Sequence, residues 1–352
     1  MSFVPPRCPN SLCDAHREPK GVWYWRIGYY QTRCRPEPQQ RYSCRLCERK
    51  FSRQTFRHDF GDRKPDTNEP LLKLLTSGVG LRQAGRVVGL DVHSVQGKLR
   101  KFARTCRLLH RNLSPTLPAD GTYVLDEEET FETDRSRPLT MPVLIERKTW
   151  FVVDATAGKI RRLARRGSKR RRRQELYEAK KGRREDQSRA CVRRTLQALK
   201  DRTGETKLTL LSDEKSSYGT LVREVFGDLA SHETTPGTAA RTTHNPLFPI
   251  NTTLAMTRDN NGRLRRRSWL VSKECKCLIQ QVQLFLVYRN YMRRRFNYDR
   301  EEETPAKLLG LLPRALRGME VLAWRQDWGQ LSVDPMSMTG GRTVAQMRSA
   351  VA

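Results

Sequence analysis

The sequence predicts an α/β fold, a mixed β-sheet with flanking helices, preceded by a small cysteine-rich β-ribbon and a helical segment. Three observations predict it: paired cysteines near the start, apolar residues at helical spacing over 65–113, and short β-type runs alternating with helical stretches over 120–300. A chain of 352 residues can form two or three domains with real cores. We expect the ribbon to span 1–56, and residues 301–352 to pack back on the sheet domain or form a tail.

Charge is the strongest feature of the composition. Sixty-eight Lys and Arg stand against 38 Asp and Glu, which gives a net charge of +30. Such an excess points to polyanionic partners, with nucleic acid first and an anionic membrane surface as the alternative. No apolar run reaches 18 residues and no signal-peptide core is present, so we expect a soluble, cytoplasmic protein.

The cysteines predict a structural metal site. Nine cysteines are an odd number, which favours reduced thiols over a disulfide framework. Four of them form two pairs, separated by 30 residues: Cys8 and Cys13, then Cys44 and Cys47. This spacing predicts a tetrahedral Zn²⁺ site that supplies the folding energy of a ribbon too small to fold alone. His16 is an alternative ligand, and Cys34 has no near partner.

The segment 65–113 predicts a helix-turn-helix. Its apolar stripes are Leu71, Leu74 and Leu75; Leu81, Ala84 and Val88; and Val95, Leu99, Phe102, Cys106 and Leu109. Gly89 is expected to end the second helix and Asp91 to cap the third. The polar face of the third helix carries Lys98, Arg100, Lys101, Arg104 and Arg107. Those cations suit phosphates beside a major groove, although many three-helix units bind nothing.

The sheet domain is predicted from four β-type runs, at 122–125, 141–145, 149–153 and 208–211. A helix with Val192, Leu196 and Leu199 on one face precedes the last of them. Residues 161–173 contain nine Lys or Arg. We expect this insertion to be a solvated, disordered loop that can clamp a phosphate backbone.

Two acids stand where apolar β-type runs end. Asp126 follows Leu125 and leads an acidic run, and Asp213 follows Ser212. An Asp in this position is more often a turn former, so each is weak alone. Together, rigidly held carboxylates are the ligands that Mg²⁺ uses beside a phosphate, and two metals can bind the attacking and leaving oxygens of a phosphodiester.

In this order, the cysteine pairs, the helix-turn-helix and the Asp126 and Asp213 segments resemble DDE-type insertion-sequence transposases with a ribonuclease H-like core. The segment from Arg263 to Ser268, followed by Trp269, Ser272 and Lys273, resembles the basic helix after the third catalytic residue of that family. The resemblance covers about residues 8–295. Its individual motifs are loose, and their order is the specific part.

The resemblance implies a DNA transposase that uses Mg²⁺ or Mn²⁺. Asp126 and Asp213 match the first two metal-binding aspartates, while the position of the family's Glu holds Asn251. Metal-activated water would nick the DNA, and the freed 3′-hydroxyl would attack target DNA. An Asn carbonyl can bind the metal but carries no charge, so Glu233, Asp259 and Asp154 remain alternatives.

The implied partners are double-stranded DNA, as element ends and as target, and further copies of the chain, at the nucleoid. DNA contacts are expected from Lys98, Lys101, Arg104, Arg263, Arg266 and Lys273. The competing hypothesis is a transposase-derived DNA-binding protein with weak or no catalysis. An RNA-processing nuclease would use the same acids, but the helix-turn-helix fits duplex DNA better.

Overall fold

The ribbon forms a unit with its own small core. The structure, a computed structural model, describes residues 3–118, 121–240, 242–264 and 269–324. In the ribbon, a short helix precedes three antiparallel strands in the order β1-β2-β3: α1 (Asp14–Arg17), β1 (Tyr24–Thr32), β2 (Arg35–Cys44) and β3 (Lys50–Ser52). Trp23 and Tyr42 both stack on Phe51, with ring centroids 5.6 Å apart in each pair. These rings and the cysteines form a hydrophobic cluster separate from the rest of the core.

The three helices predicted over 65–113 are confirmed. After a 3₁₀ turn at Pro65–Thr67 they are α2 (Asn68–Leu75), α3 (Leu81–Val88) and α4 (Val92–Leu113). Gly89 ends α3 in the left-handed region, with φ of +66°, where a side chain would be strained. The Asp91 carboxylate caps α4 by accepting hydrogen bonds from the amides of His93 (2.8 Å) and Ser94 (3.0 Å).

A mixed sheet lies behind these helices. Its strands are β4 (Thr122–Phe131), β5 (Pro138–Glu146), β6 (Val152–Ala155), β7 (Gly158–Lys159), β8 (Leu208–Asp213) and β9 (Ala230–Thr235). The strand order is β6-β5-β4-β8-β9, with β7 also on β5. β4, β5 and β6 run antiparallel, whereas β8 and β9 add in parallel next to β4.

Helices cover the sheet on both sides. They are α5 (Lys169–Lys181), α6 (Ser188–Thr203), α7 (Ser216–Phe226), α8 (Phe248–Asn260), α9 (Cys275–Val287), α10 (Pro305–Leu308) and α11 (Gly318–Ala323). One hydrophobic cluster joins α2–α4, the sheet and residues up to Trp324. Residues 301–324 therefore pack back on the body, with α11 against α2 and α4. Among the described helices, none is both long and apolar enough to cross a membrane.

Three local expectations differ from the structure. The third predicted strand begins at Val152 rather than at 149, because the Glu146 carboxylate accepts the amides of Lys148 and Thr149 and forms a turn there. The basic insertion is not a disordered loop throughout, since α5 begins at Lys169 behind the Ser168 N-cap. β4 does not end near Asp126 but continues to Phe131, because the acidic run still pairs with β5.

Candidate functional site

The four predicted cysteines come together in the ribbon. Their Sγ atoms all lie within 4.8 Å of one another, and none is in a disulfide. The Cys8–Cys47 and Cys13–Cys44 Sγ pairs are 3.5 and 3.7 Å apart. Four sulfurs at the usual Zn–S distance of about 2.3 Å from one ion would be about 3.8 Å apart, so the spacing fits tetrahedral Zn²⁺. The cluster can therefore bind a metal such as zinc.

The backbone around the cluster holds the thiols in place. The Asn10 amide donates to the Cys8 Sγ (3.4 Å), and the Cys13 amide donates to the Asn10 carbonyl (3.1 Å). His16 is not a fifth member, because its Nδ1 lies 2.7 Å from the Cys8 carbonyl oxygen. Cys34 is exposed, and its thiol donates to the Arg63 carbonyl instead.

Asp126 and Asp213 lie on adjacent parallel strands in the same register. Val124 pairs with Leu211, and two residues further along both strands bring Asp126 opposite Asp213. Neighbouring strands are about 4.8 Å apart, and residues in register on parallel strands point to the same face. β8 ends at Asp213 while β4 continues, so the two carboxylates lie where the parallel pairing stops.

Both aspartates point to the face of the sheet that α8 covers. Glu128, two residues after Asp126 and so on the same face, forms an ion pair with Arg258 of α8. Glu127 points to the opposite face, where its carboxylate accepts from the Tyr218 hydroxyl of α7 (2.8 Å). The Asp126 side of β4 is therefore the side that α8 packs against.

Each of the three glutamates after Asp126 is already neutralised by a cation. Glu127 pairs with Lys215, Glu128 with Arg258, and Glu129 with Arg162 of the basic insertion at 2.5 Å. Asp126 and Asp213 accept hydrogen bonds from the main-chain amides of Glu127 (2.7 Å) and Lys215 (3.1 Å). Among the described residues, neither aspartate forms an ion pair with Lys or Arg. Asp126 and Asp213 therefore offer negative charge that a bound cation could neutralise.

Burial raises the pKa of Asp126 to about 6. The hydrogen bond from the Glu127 amide opposes this rise, and the negative charges of Asp213, Glu127 and Glu128 add to it. Burial and nearby negative charges make the charged form of a carboxylate unfavourable when no cation is bound. A divalent cation offsets that cost, so such a carboxylate binds it readily. Carboxylate oxygen is also the donor that Mg²⁺ and Mn²⁺ prefer, so the donor set fits such an ion.

We predict that Asp126→Asn stabilises the protein above pH 7 when no divalent cation is added. The pKa rises from its ordinary 3.8 to about 6, so the folded state holds the extra proton between these values and loses stability as the pH increases through that window. At 1.36 kcal/mol per unit the cost is about 3 kcal/mol, which partial exposure reduces to about 2 kcal/mol.

Chemical denaturation at pH 4 and pH 8 measures this effect. We expect equal stabilities at pH 4 and a more stable Asn variant at pH 8, while Asp228→Asn, which removes an exposed carboxylate in the 3₁₀ turn before β9, changes neither. Equal unfolding free energies of wild type and Asp126→Asn at pH 8 would contradict the prediction.

The structure separates the candidates for a third ligand. Asp154 pairs with Leu144, which pairs with Leu125, so it lies on the opposite face from Asp126. Asp259 is exposed, eight residues after Asn251 in α8. Glu233 pairs with Leu211, two residues before Asp213, and is also exposed. Within the described ranges, no group of three Asp, Glu, His or Cys with ligand atoms all within 4.8 Å of one another includes Asp126 or Asp213.

Asn251 remains on the face of α8 that meets the acids. It precedes Arg258 by seven residues, close to two turns, and Arg258 contacts Glu128 on the Asp126 side of β4. Phe248, at the start of α8, packs against Trp150 at the turn before β6, so the helix runs alongside β4. The Asn251 side chain is half-buried on this helix.

The predicted DNA-contacting residues lie in different environments. Lys98 is buried and pairs with Asp62 (3.3 Å), and Lys101 binds the same carboxylate (3.0 Å). Both ammonium groups are thus used internally in this conformation. Arg104 is half-buried on α4 and Lys273 is exposed. Arg263 is mostly enclosed, and burial lowers its pKa. Arg266 lies outside the described residues.

Sequence reasoning missed Lys215, Tyr218 and Arg258, the side chains that neutralise or bind Glu127 and Glu128. A cation placed two residues after Asp213 was a usable signal for the first of them. It also missed Arg194 and Lys276, which line a groove with Arg104.

Compared with known families and with curated proteins, the chain matches no family model and no curated protein.

Proposed function

We propose that this chain is a DDE-type DNA transposase of an insertion sequence, which binds the element ends and catalyses metal-dependent strand cleavage and strand transfer. One observation carries the proposal: Asp126 and Asp213 face the same side of adjacent parallel strands without a cationic partner among the described residues. In a chain of charge +30, the three glutamates that follow Asp126 are paired with cations, and these two aspartates are not. A cation bound there would lie against an incoming phosphate.

The connectivity of the sheet supports a ribonuclease H-like core. Three antiparallel strands are followed by two parallel strands, and helices α6 and α7 precede β8 and β9 on the Glu127 side. The next helix, α8, covers the Asp126 side. This is the arrangement in which the third residue of a catalytic triad would come from α8, where Asn251 lies.

The N-terminal units suit duplex DNA. The α3–α4 turn is tight, and the first two turns of α4 leave His93, Ser94 and Gln96 exposed, as a recognition helix requires. The ribbon adds a second small unit ahead of it. We propose that the protein acts on paired ends as a multimer at the nucleoid.

The residues at the acid pair have distinct tasks in this proposal. Bound Mg²⁺ or Mn²⁺ would polarise the phosphodiester and supply the nucleophile at neutral pH. Asp126 and Asp213 would hold the ion rigidly from the sheet. Lys215 and Arg258 keep the neighbouring glutamates neutralised, which prevents the acidic run from repelling the DNA backbone.

The proposal is tested by incubating the zinc-loaded chain with linear DNA that carries the element ends, with Mg²⁺, with Mn²⁺ and without either ion. We expect nicks that leave a 3′-hydroxyl, and joined products, only with the divalent ion. DNA binding without any cleavage under all three conditions would favour the second candidate, a DNA-binding protein descended from a transposase. Asn251, which offers no charge, is the observation that favours that candidate.

Asn251→Glu is expected to raise the rate of metal-dependent cleavage about tenfold or more, which corresponds to an activation barrier lower by roughly 1.4 kcal/mol. The added carboxylate would stand on the face of α8 that meets the Asp126 side, and would supply the missing negative ligand. Rates of nicking under single-turnover conditions measure it.

Two further variants complete this comparison. Asn251→Ala separates the effect of adding charge from that of removing the amide. Asp259→Asn should leave the rate unchanged, since Asp259 is exposed near the end of α8. A gain from Asn251→Glu that equals the effect of Asn251→Ala, or a large loss with Asp259→Asn, would show that Asn251 does not occupy the third position.

A further inference from the structure

A basic groove of about 480 Å³ lies where α4, α6 and α9 meet the end of β6. Its cationic lining comes from all three helices: Arg100, Arg104, Arg107, Arg194 and Lys276. These residues are up to 176 positions apart in the chain (276 − 100), so the fold, and not a local charge run, gathers them. Because three packed helices hold these side chains, the positive surface that they form has a defined shape.

Much of the charge in the groove lacks a counter-ion. Among the described residues, Arg100, Arg107 and Arg194 form no ion pair with Asp or Glu. Burial lowers the pKa of Arg107, and the neighbouring Arg111 and Arg104 lower it further, so these guanidinium groups crowd one another. Arg193, next to Arg194 on α6, is instead paired with Glu224.

Asp154 is an acid in the lining, and it can offset only part of the charge of the five cations. It accepts a hydrogen bond from the Thr195 hydroxyl (3.3 Å) at the base, and the positive charges of Arg202 and Arg194 act on it from α6. It also points away from the acid pair, on the other face of the sheet. β6 is two strands from β4, about 10 Å away, so the groove is separate from Asp126 and Asp213.

The spacing along α4 suits a polymer of phosphates. Arg100, Arg104, Arg107 and Arg111 follow one another at intervals of four, three and four residues, which places them on one face. They span 11 residues, about 16 Å of helix. A compact anion would satisfy one or two of these guanidinium groups, whereas a polynucleotide backbone presents a charge to each along the whole stripe.

We propose that this groove binds the phosphate backbone of duplex DNA. α4 then has two tasks. Its first two turns belong to the helix-turn-helix, and its arginines from Arg100 onward bind the DNA backbone beside the sheet domain, together with Arg194 and Lys276. The choice of DNA as the polyanion rests on the proposed function. The inference that the groove binds a polyanion rests on its charges and its shape alone.

The test is the salt dependence of duplex DNA binding, measured by fluorescence anisotropy without divalent cations. The triple variant Arg100→Gln/Arg107→Gln/Arg194→Gln removes three phosphate contacts. We expect the slope of log K against log salt to become shallower by about 2.7, since each contact contributes about 0.9. Because no divalent cation is present, a failure of cleavage has no bearing on this result.

A matched control removes the same charge from paired arginines. Arg189→Gln/Arg193→Gln/Arg314→Gln alters side chains that pair with Glu224 and Glu320, and should change the slope little. The Lys variant at Arg100, Arg107 and Arg194 should keep the wild-type slope, which excludes misfolding as the cause. An unchanged slope in the Gln triple variant, or an equally large decrease in slope in the control variant, would show that the groove does not bind the DNA backbone. Stronger binding of an RNA duplex through the same residues overturns the choice of DNA.

Discussion

Asp126→Ala and Asp213→Ala are each expected to lower divalent-cation-dependent DNA cleavage by at least about 10³-fold while leaving DNA binding unchanged. A bound metal ion contributes several kcal/mol of transition-state stabilisation, and each 1.36 kcal/mol is a factor of ten in rate. The carboxylates of these two residues are the ones beside the strand junction without a cationic partner among the described residues, so losing either one halves the negative charge available to the ion. The three glutamates that follow Asp126 are already paired with cations.

The measurement pairs single-turnover cleavage with anisotropy binding for each variant. Asp228→Ala is the control, because it removes an exposed carboxylate in the 3₁₀ turn before β9 and should keep the wild-type rate. Asp126→Ala and Asp213→Ala should each leave the protein as stable as the wild type, or make it more stable, at pH 8, since each removes repulsion between two carboxylates. Cleavage that stays within a few-fold of the wild-type rate in both variants would show that the acid pair is not the catalytic centre.

Local signals in the sequence were sufficient to predict helices α2, α3 and α4. The apolar spacing, Gly89 and the Asp91 cap place α2, α3 and α4 within a few residues of their observed bounds, because caps and period act over one or two turns. The cysteine spacing was sufficient for the four-thiol cluster for a related reason: two knuckles with short internal loops have few ways to present their sulfurs.

Pairing over long sequence separations was not predictable in this way. Lys98 and Lys101 looked like phosphate ligands on a polar helix face, but Asp62, more than 30 residues earlier, binds both. Asp154 looked like a third ligand until the register of β5 and β6 placed it on the other face. Periodicity gives the face of an element, and only tertiary structure gives what that face meets.

Removing the metal from the four cysteines is expected to unfold the ribbon while the rest of the protein stays folded. Structural Zn²⁺ contributes about 10–16 kcal/mol to the folding of comparable small units. The ribbon's own core comprises only Cys8, Cys13, Ala15, Trp23, Tyr42, Cys44 and Phe51, besides a few partly buried neighbours. This cluster does not merge with the core that joins the helices and the sheet, so unfolding should not spread to the body.

Metal analysis of the purified chain should give one zinc per molecule, and Cys44→Ser should abolish it. Hydrogen exchange should then show complete loss of protection over β1, β2 and β3 and unchanged protection over β4, β5 and β8. Cys34→Ser is the matched control, since Cys34 is exposed and lies outside the cluster. If the ribbon strands keep their protection after chelation, burial of the aromatic rings and not the metal stabilises this unit, and the cysteine cluster has another role.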